Sequence, residues 1–146
     1  MDTETSGLVG PILRKLALQP RIIEFSAVQF SVDPAGGGEE TGVLDFLCNP
    51  GVAIAPLITK ITGLSGADVQ GQPGFHHYAD QVRAFMADAD TLTGHNLSFD
   101  DAMLGLEFQR LGQDWSTARQ RRVCSVEASE WLYGRRATLS ELHECW

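Results

Sequence analysis

The sequence predicts an α/β domain with a mixed sheet, on three observations. The segment RIIEFSAVQFSV is rich in β-branched and aromatic residues and apolar on both faces, which is typical of a central strand. After a glycine-rich connection, VLDFLCN resumes the strand pattern, so the two segments should form an antiparallel hairpin. Beyond this hairpin, helical periodicity alternates with short strand-like runs, which is the order of elements in α/β proteins.

The first half of the chain contains several turns around this hairpin. The opening MDTETSGL is interpreted as extended, and GPILRKLALQP, which lies between two prolines, as a loop or short helical excursion. DPAGGGEETG is predicted to be a turn or loop, because no following helix with a lysine makes it a phosphate-binding loop. Residues 50–73 are predicted to be irregular, apart from a possible short helix at SGADVQ.

In the second half of the chain, the sequence predicts three helices that alternate with short strands, followed by a final helix. Helical spacing of apolar residues is found in GFHHYADQVRAFMADA and in NLSFDDAMLGLEFQRLG, where Gly112 should end the helix. The strands are expected at DTLTGH and RRVCSV, and EASEWLY continues as a helix. The last helix is TLSELHECW, with Thr138 as its cap and Glu141 at the third helical position.

Composition indicates an ordinary globular protein of one domain, residues 1–146. Hydrophobic residues make up 43% and charged residues 21%, and no apolar run is long enough to cross a bilayer. The acidic start does not resemble a signal peptide, and the three cysteines are widely spaced without a CxxC pair. We therefore expect a reducing, cytoplasmic location and no membrane partner.

The formal charge of −8 argues against a nucleic-acid binder that works through bulk attraction to phosphates. An acidic enzyme can still bind DNA if metal ions offset its carboxylates. Arginines are concentrated in the last third of the chain, where they form either a phosphate-facing strip or a solvated face: Arg119, Arg121, Arg122, Arg135 and Arg136.

The acidic opening DTETSG has several possible roles. If it is extended, Asp2 and Glu4 point to the same side, about 6 to 7 Å apart, although a solvated terminus would look the same. A calcium loop would require Glu at its twelfth position, where the chain has Leu13. A pair of acids for sugar hydrolysis would require an apolar setting for one of them, which nothing here indicates.

A two-metal site for phosphoryl transfer is the third possibility. Two divalent ions about 3.5 to 4 Å apart need several oxygen ligands, and Asp2 and Glu4 supply two carboxylates. A third should come from a distant element end, and Asp100, at a strand-to-helix junction, is the best placed candidate. An aspartate in the first turn of a helix also complements the helix dipole, so this residue alone does not decide the question.

Four segments in order resemble a known family. DTETSGL followed by RIIEFSAV, then ITGLS and GHNLSFDDAML, are similar to the DnaQ-like proofreading 3′-to-5′ exonucleases of the DEDD superfamily. The resemblance runs from Asp2 to about Leu142, and VCSVEASEWLYGRRATLSEL follows the late segment of that family. It implies a ribonuclease H-like fold, that is, a mixed sheet with an antiparallel hairpin and flanking helices.

The resemblance also implies the site residues. By this resemblance, Asp2, Glu4 and Asp100 are the catalytic residues and the ligands of two Mg²⁺ or Mn²⁺ ions. It also implies three groups of substrate-binding residues. Thr5, Ser6 and Gly7 would hold the 3′-terminal nucleotide, and Thr62, Gly63 and Leu64 would lie near its base. Asn96 and Phe99 belong to the second motif.

The implied activity is hydrolysis of nucleotides from the 3′ end of a single-stranded nucleic acid, DNA rather than RNA. A DNA polymerase subunit is an implied partner. A non-catalytic nuclease-like module that binds a polymerase or nucleic acid is the alternative, and the acidic charge favours it.

The chain departs from the family at both ends. Relatives have a buried strand before the first motif and a later motif with His followed by Asp, so we expect an incomplete first strand, an incomplete last helix and impaired activity. His143 lies in the helix before that later motif, and His95 is expected to shape the junction in the second motif. His76 and His77 have no neighbouring acids and are not expected to bind metal.

Overall fold

A computed structural model of the chain describes residues 1–10 and 15–144. It has the α/β architecture predicted from the sequence, with a three-stranded antiparallel sheet in the order β1-β2-β3, a parallel pair β4-β5, and flanking helices. The strands are β1 Asp2–Thr5, β2 Ile22–Val32, β3 Gly38–Leu47, β4 Thr91–Gly94 and β5 Arg121–Cys124. The helices are α1 Pro56–Thr62, α2 Gly66–Val69, α3 Ala79–Ala87, α4 Leu97–Arg110, α5 Ser125–Tyr133 and α6 Leu139–Glu144, with 3-10 turns at Leu16–Leu18 and Phe75–His77.

The β2-β3 hairpin is tighter than the sequence predicts. The connection spans only residues 33–37, where the N–H of Asp33 donates to the carbonyl of Gly37 and Gly36 has a φ of +89°. The prediction that all of DPAGGGEETG is a loop was therefore wrong for GEETG, which forms the start of β3. Pairing with the end of β2 outweighs the low strand propensity of Gly and Glu.

Helix α1 was missed by the sequence analysis. It starts at Pro56, whose fixed φ suits the first helical position, and ends at Gly63, which has a φ of +79°. The sequence analysis did not use these two signals, because the β-branched residues of the segment have low helix propensity. Helix α2 corresponds to the predicted SGADVQ, and Ser65 and Asp68 form a capping box.

The remaining elements follow the prediction closely. Gly112, with a φ of +67°, follows α4, and the N–H of Glu141 donates to Thr138 Oγ1 at 3.3 Å, as expected for the cap of α6. Of the predicted excursion GPILRKLALQP, residues 11–14 lie outside the described residues, as do the last two residues of the predicted final helix. None of the helices in the described residues is long and apolar enough to cross a membrane.

The core lies between the antiparallel sheet and helices α3 and α4. Phe25, Val82, Leu104 and Phe108 are almost completely inaccessible to solvent. The ring of Phe108 stacks on Trp115 with 4.7 Å between centroids. Burial on this scale contributes about 1.5 to 3 kcal/mol for each large side chain, so the core fixes α4 against the sheet.

A polar cluster ties α4 to the start of β2. Glu107 is buried and accepts a hydrogen bond from the N–H of Ile22 at 3.1 Å. Arg110 lies 3.0 Å from Glu107 and donates to the carbonyl groups of Gln19 and Pro20 at 3.0 and 2.8 Å. Because β1 pairs with β2, this cluster also sets the position of β1 relative to α4.

Candidate active site

Strand β1 presents two acidic side chains on one face. It runs antiparallel to β2, with Asp2 opposite Ser26 and Glu4 opposite Glu24. Thr3 is buried on the other face, whereas Asp2 is exposed and Glu4 half-buried. The alternation of a strand therefore directs both acids of the DTE sequence to the same side.

Asp100 reaches β1 from the first turn of α4. Its side chain is buried, with 2% of the residue exposed. The hydroxyl of Thr3 donates a hydrogen bond of 2.7 Å to Asp100 Oδ1. The residue between the two acids of β1 thus holds the third acid.

The three acids influence one another electrostatically. Burial raises the pKa of Asp100 to about 6, with a smaller contribution from the charge of Asp2, while the hydrogen bond from Thr3 opposes the shift. The pKa of Glu4 is also raised, first by burial and then by the charges of Asp2, Glu24 and Asp100. Neighbouring negative charges raise the pKa of a carboxyl group because they disfavour its ionisation.

Two further carboxylates belong to this cluster, and the sequence analysis did not identify them. Burial, then the charges of Asp45 and Asp2, raises the pKa of Glu24. Glu24 also lies directly opposite Glu4, an arrangement of like charges that destabilises a sheet. A glutamate between apolar neighbours in a predicted strand was the available signal for Glu24, whose position beside Glu4 depends on the strand register.

The chemistry of the cluster fits hard divalent cations. Its ligands are all carboxylate oxygens, which suit Mg²⁺ or Mn²⁺ rather than softer metals. Within residues 1–10 and 15–144, no three His, Cys, Asp or Glu side chains are spaced to bind one metal ion together. Mg²⁺ is commonly held by only one or two carboxylates, with water and substrate phosphates as the other ligands.

The end of β1 and the turn after it contain the first group of predicted substrate residues, Thr5, Ser6 and Gly7. Thr5 Oγ1 donates to the carbonyl of Gly7 at 2.7 Å. Ser6 is fixed to the start of β2, because its N–H donates to the carbonyl of Arg21 at 2.8 Å and its Oγ accepts from the N–H of Arg21 at 2.9 Å. These bonds order the backbone next to the acids.

The second group of predicted substrate residues lies at the end of α1, which contacts β1. Thr62 Oγ1 donates to the carbonyl of Ile58 at 3.0 Å and accepts from the N–H of Leu64 at 3.1 Å. Gly63 ends the helix in the left-handed region, and the half-buried Leu64 follows it. The structure therefore places Thr62, Gly63 and Leu64 at the end of a helix that contacts β1.

The third group precedes Asp100. Asn96 is exposed, has a φ of +63°, and its carbonyl accepts a hydrogen bond from the N–H of Phe99 at 2.8 Å. Phe99 is half-buried against the core. His95 Nδ1 lies 2.9 Å from Ser125 Oγ, which links the end of β4 to α5.

The other histidines and the arginines lie in different surroundings. His76 and His77 are exposed in a 3-10 turn, and His143 is exposed in α6. Three of the five clustered arginines form ion pairs within the chain, so their charge is partly neutralised: Arg122 with Asp101 at 2.6 Å, Arg135 with Glu141 at 3.0 Å and Arg136 with Glu130 at 3.4 Å.

Curated relatives of this chain include three polymerases described as DNA polymerase III PolC-type. The chain is 29% identical to the protein of Halalkalibacterium halodurans over 132 residues, 27% identical to that of Bacillus subtilis over 132 residues, and 29% identical to that of Oceanobacillus iheyensis over 131 residues. Each match covers 90% of this chain but only 8% of the polymerase. The chain thus spans a small part of these relatives.

A solved structure and a family model give the broader relationship. Exonuclease X, in complex with 5′ overhanging duplex DNA, matches with a TM-score of 0.57 and 21% identity, over 90% of this chain and 61% of that one. This similarity shows a common, ribonuclease H-like fold. The model of the exonuclease family matches residues 1–144. The chain therefore belongs to the exonuclease family, as a DnaQ-like exonuclease domain.

Proposed function

We propose that this nuclease domain removes nucleotides from the 3′ end of single-stranded nucleic acid by hydrolysis that depends on two Mg²⁺ or Mn²⁺ ions. The supporting observation is that Asp100 of α4 bonds to Thr3, between Asp2 and Glu4 of β1, and that the charges of these acids act on one another. Acids from distant parts of the chain are brought together against their mutual repulsion. A cation between them would relieve that repulsion.

The residues have distinct roles in this proposal. Asp2, as the most exposed acid, would contact both ions; Glu4 would hold one of them and Asp100 the other. Thr3 donates a hydrogen bond to Oδ1 of Asp100, and the carboxylate of Asp100 would serve as ligand directly or through water. When bound, the ions supply an activated water and stabilise charge on the leaving oxygen.

The turn after β1 and the end of α1 form the two sides of the proposed site for the terminal nucleotide. Their polar groups are held by hydrogen bonds within the chain, at Thr5 and Ser6 on one side and Thr62 on the other. Such ordered groups lose little conformational freedom when a strand binds. Asn96 and Phe99, beside Asp100, would contact the same nucleotide.

We propose DNA rather than RNA as the substrate, since the relatives above include DNA polymerases and an exonuclease bound to DNA. A DNA polymerase is accordingly the proposed partner. The competing proposal is a nuclease-like module that binds DNA or a polymerase without cutting. The net charge of −8 favours that alternative.

The proposal is tested with a single-stranded DNA oligonucleotide labelled at its 5′ end. With Mn²⁺ present, we expect stepwise shortening from the 3′ end, stopped by a chelator. The double variant Asp2→Asn/Glu4→Gln should lose at least about 10²-fold in rate, because both ligands of β1 are replaced by neutral amides. The rate of the chain itself should be low, since the proposal assigns no general base and such a base contributes about 10²- to 10⁴-fold.

Glu39→Gln is the matched control, because Glu39 is an exposed acid near the β2-β3 turn and should leave the rate unchanged. Immediate release of the 5′ label would contradict the direction of cutting. An intact strand that nevertheless raises the fluorescence anisotropy of the label on binding would favour the non-cutting module.

Replacement of Thr3 should weaken metal binding through Asp100. Thr3→Val keeps the shape of the side chain but removes the hydroxyl that donates to Asp100. Loss of this hydrogen bond disfavours the ionised form of Asp100, which is the form that binds metal. A hydrogen bond to a charged group contributes about 1.5 to 3 kcal/mol, so Mn²⁺ affinity should fall about tenfold or more. Thr3→Ser keeps the hydroxyl and should bind as the original chain does. Equal Mn²⁺ affinity of the valine variant, measured by electron paramagnetic resonance, would exclude this role of Thr3.

The buried Asp100 should make the metal-free chain less stable as the pH rises. Its pKa is about 6 when folded and has an ordinary value near 3.8 when unfolded. Between these values the folded state binds more protons, so the free energy of unfolding falls as the pH increases from about 4 to about 6 and then levels off. Each pKa unit corresponds to about 1.4 kcal/mol, which gives a loss of about 3 kcal/mol.

Asp100→Asn removes this titration and should therefore be more stable than the original chain at pH 7, but about equally stable at pH 4. Urea unfolding in the presence of a chelator measures the difference at both pH values. The exposed Asp114→Asn serves as the control and should show no such dependence on pH. Parallel stability curves for the original chain and Asp100→Asn would contradict the burial argument.

A further inference from the structure

Asp101, the residue after Asp100, makes a second set of contacts at the start of α4. Its Oδ1 accepts hydrogen bonds from Trp115 Nε1 at 2.9 Å and from Thr117 Oγ1 at 3.0 Å. Its Oδ2 accepts from the guanidinium of Arg122 in β5 at 2.6 Å. Arg122 also donates to Thr117 Oγ1 at 2.8 Å, which connects these partners around Asp101. Both oxygens of this carboxylate thus have donors within the chain.

The partners of Asp101 are themselves held in place. Trp115 stacks on Phe108 of the core, with 4.7 Å between ring centroids. Arg83 of α3 donates two hydrogen bonds to the segment just before Trp115. Arg122 lies in β5, which pairs with β4. The network around Asp101 therefore joins the start of α4 to the core, to α3 and to the parallel strands.

Asp100 and Asp101 hold α4 from different sides. Successive residues of a helix point about 100° apart around its axis. Asp100 is bonded to Thr3 on β1, whereas Asp101 is bonded to residues 115–117 and to β5. A helix that is held on two sides within one turn cannot rotate about its axis without breaking one set of contacts. The contacts of Asp101 therefore help to fix the direction in which Asp100 points.

The first turn of α4 needs support from other elements. Asn96, the residue before the helix, has a φ of +63°, and its side chain caps none of the described N–H groups. The first N–H groups of a helix have no partners within it, and a start without a side-chain cap is less stable. Arg122 reaches this turn as well, since its guanidinium lies 3.5 Å from the carbonyl oxygen of Leu97.

We propose that Asp101 is a positioning residue: its network holds the first turn of α4 so that the carboxylate of Asp100 meets Thr3 on β1. Arg122 offsets the charge of Asp101, and the donors around its oxygens leave it no role as a metal ligand. The consequence for metal binding rests on the function proposed above. The effect on the contact between Thr3 and Asp100 does not.

Urea unfolding at pH 7 with a chelator tests this contact without reference to activity. Thr3→Val is introduced into the original chain and into Asp101→Ala, and the changes in the unfolding equilibrium constant are compared. Without the network, Asp100 should no longer meet Thr3, so Thr3→Val should have an effect at least about fivefold smaller in the Asp101→Ala background. Independent substitutions have the same effect in both backgrounds, within about twofold, and that result would overturn the proposal.

Two further variants separate positioning from a general loss of stability. Ser129→Ala is the matched control, because Ser129 is buried in α5, donates to the carbonyl of Val126 at 2.7 Å and accepts from the N–H of Ala137 at 3.0 Å. It should lower stability and leave the effect of Thr3→Val unchanged. An equal coupling of Thr3→Val with Ser129→Ala would overturn the proposal.

Asp101→Asn is the conservative variant, and it keeps the comparison possible if Asp101→Ala does not fold. Its amide oxygen can still accept from Trp115 and Thr117, but the ion pair with Arg122 is lost. Its coupling with Thr3→Val should therefore be intermediate between those of the original chain and Asp101→Ala. Complete independence of Asp101→Asn and Thr3→Val, with Asp101→Ala unfolded, would also overturn the proposal.

Mn²⁺ affinity and cutting of the labelled strand distinguish this inference from the proposed function. Asp101→Ala should lower Mn²⁺ affinity about as much as Thr3→Val does, because both remove the same contact, and Asp101→Asn should restore part of the loss. Coupling in the unfolding experiment, together with an original chain that neither binds Mn²⁺ nor cuts, would support the positioning role and overturn the proposed function. Absence of coupling would overturn the positioning role even if the chain cuts.

Discussion

The hydrogen bond from Thr3 to Asp100 is the contact on which the site depends. It joins two residues 97 positions apart, the first on β1 and the second in the first turn of α4. The core around Phe108 and the polar cluster of Glu107 and Arg110 hold α4 against β2, and β2 in turn holds β1. The fold thus brings the third acid to the other two, whereas local sequence alone could not.

The site is costly to the stability of the fold. Asp100 is buried with a raised pKa, and Glu4 faces both Asp2 and Glu24. Such a concentration of like charge is destabilising unless cations or protons offset it. Proteins keep destabilising groups of this kind where function requires them, which supports the proposal that the acidic cluster, rather than a basic surface, is the site of the activity.

Periodicity and capping signals were enough to predict most of the fold, including β2, β4, α4 and the cap at Thr138. Helix α1 and the start of β3 were missed because β-branched residues and a Gly/Glu-rich stretch favour other structures locally, and tertiary pairing overrides that preference. Asp2, Glu4 and Asp100 were predicted as site residues from the motifs that they occupy, and their role stays a prediction. Glu24 and Thr3 were not, because their roles follow from strand register and from a contact across the core.

A crystal structure of the chain with Mn²⁺ bound, with the metal located by its anomalous scattering, tests the central claim most directly. The account predicts Mn²⁺ within coordination distance of the carboxylates of Asp2 and Glu4, and a second ion, or a water bound to one, at the carboxylate of Asp100. Mn²⁺ bound only at other carboxylates, with these three acids left without metal at saturating concentration, would contradict it.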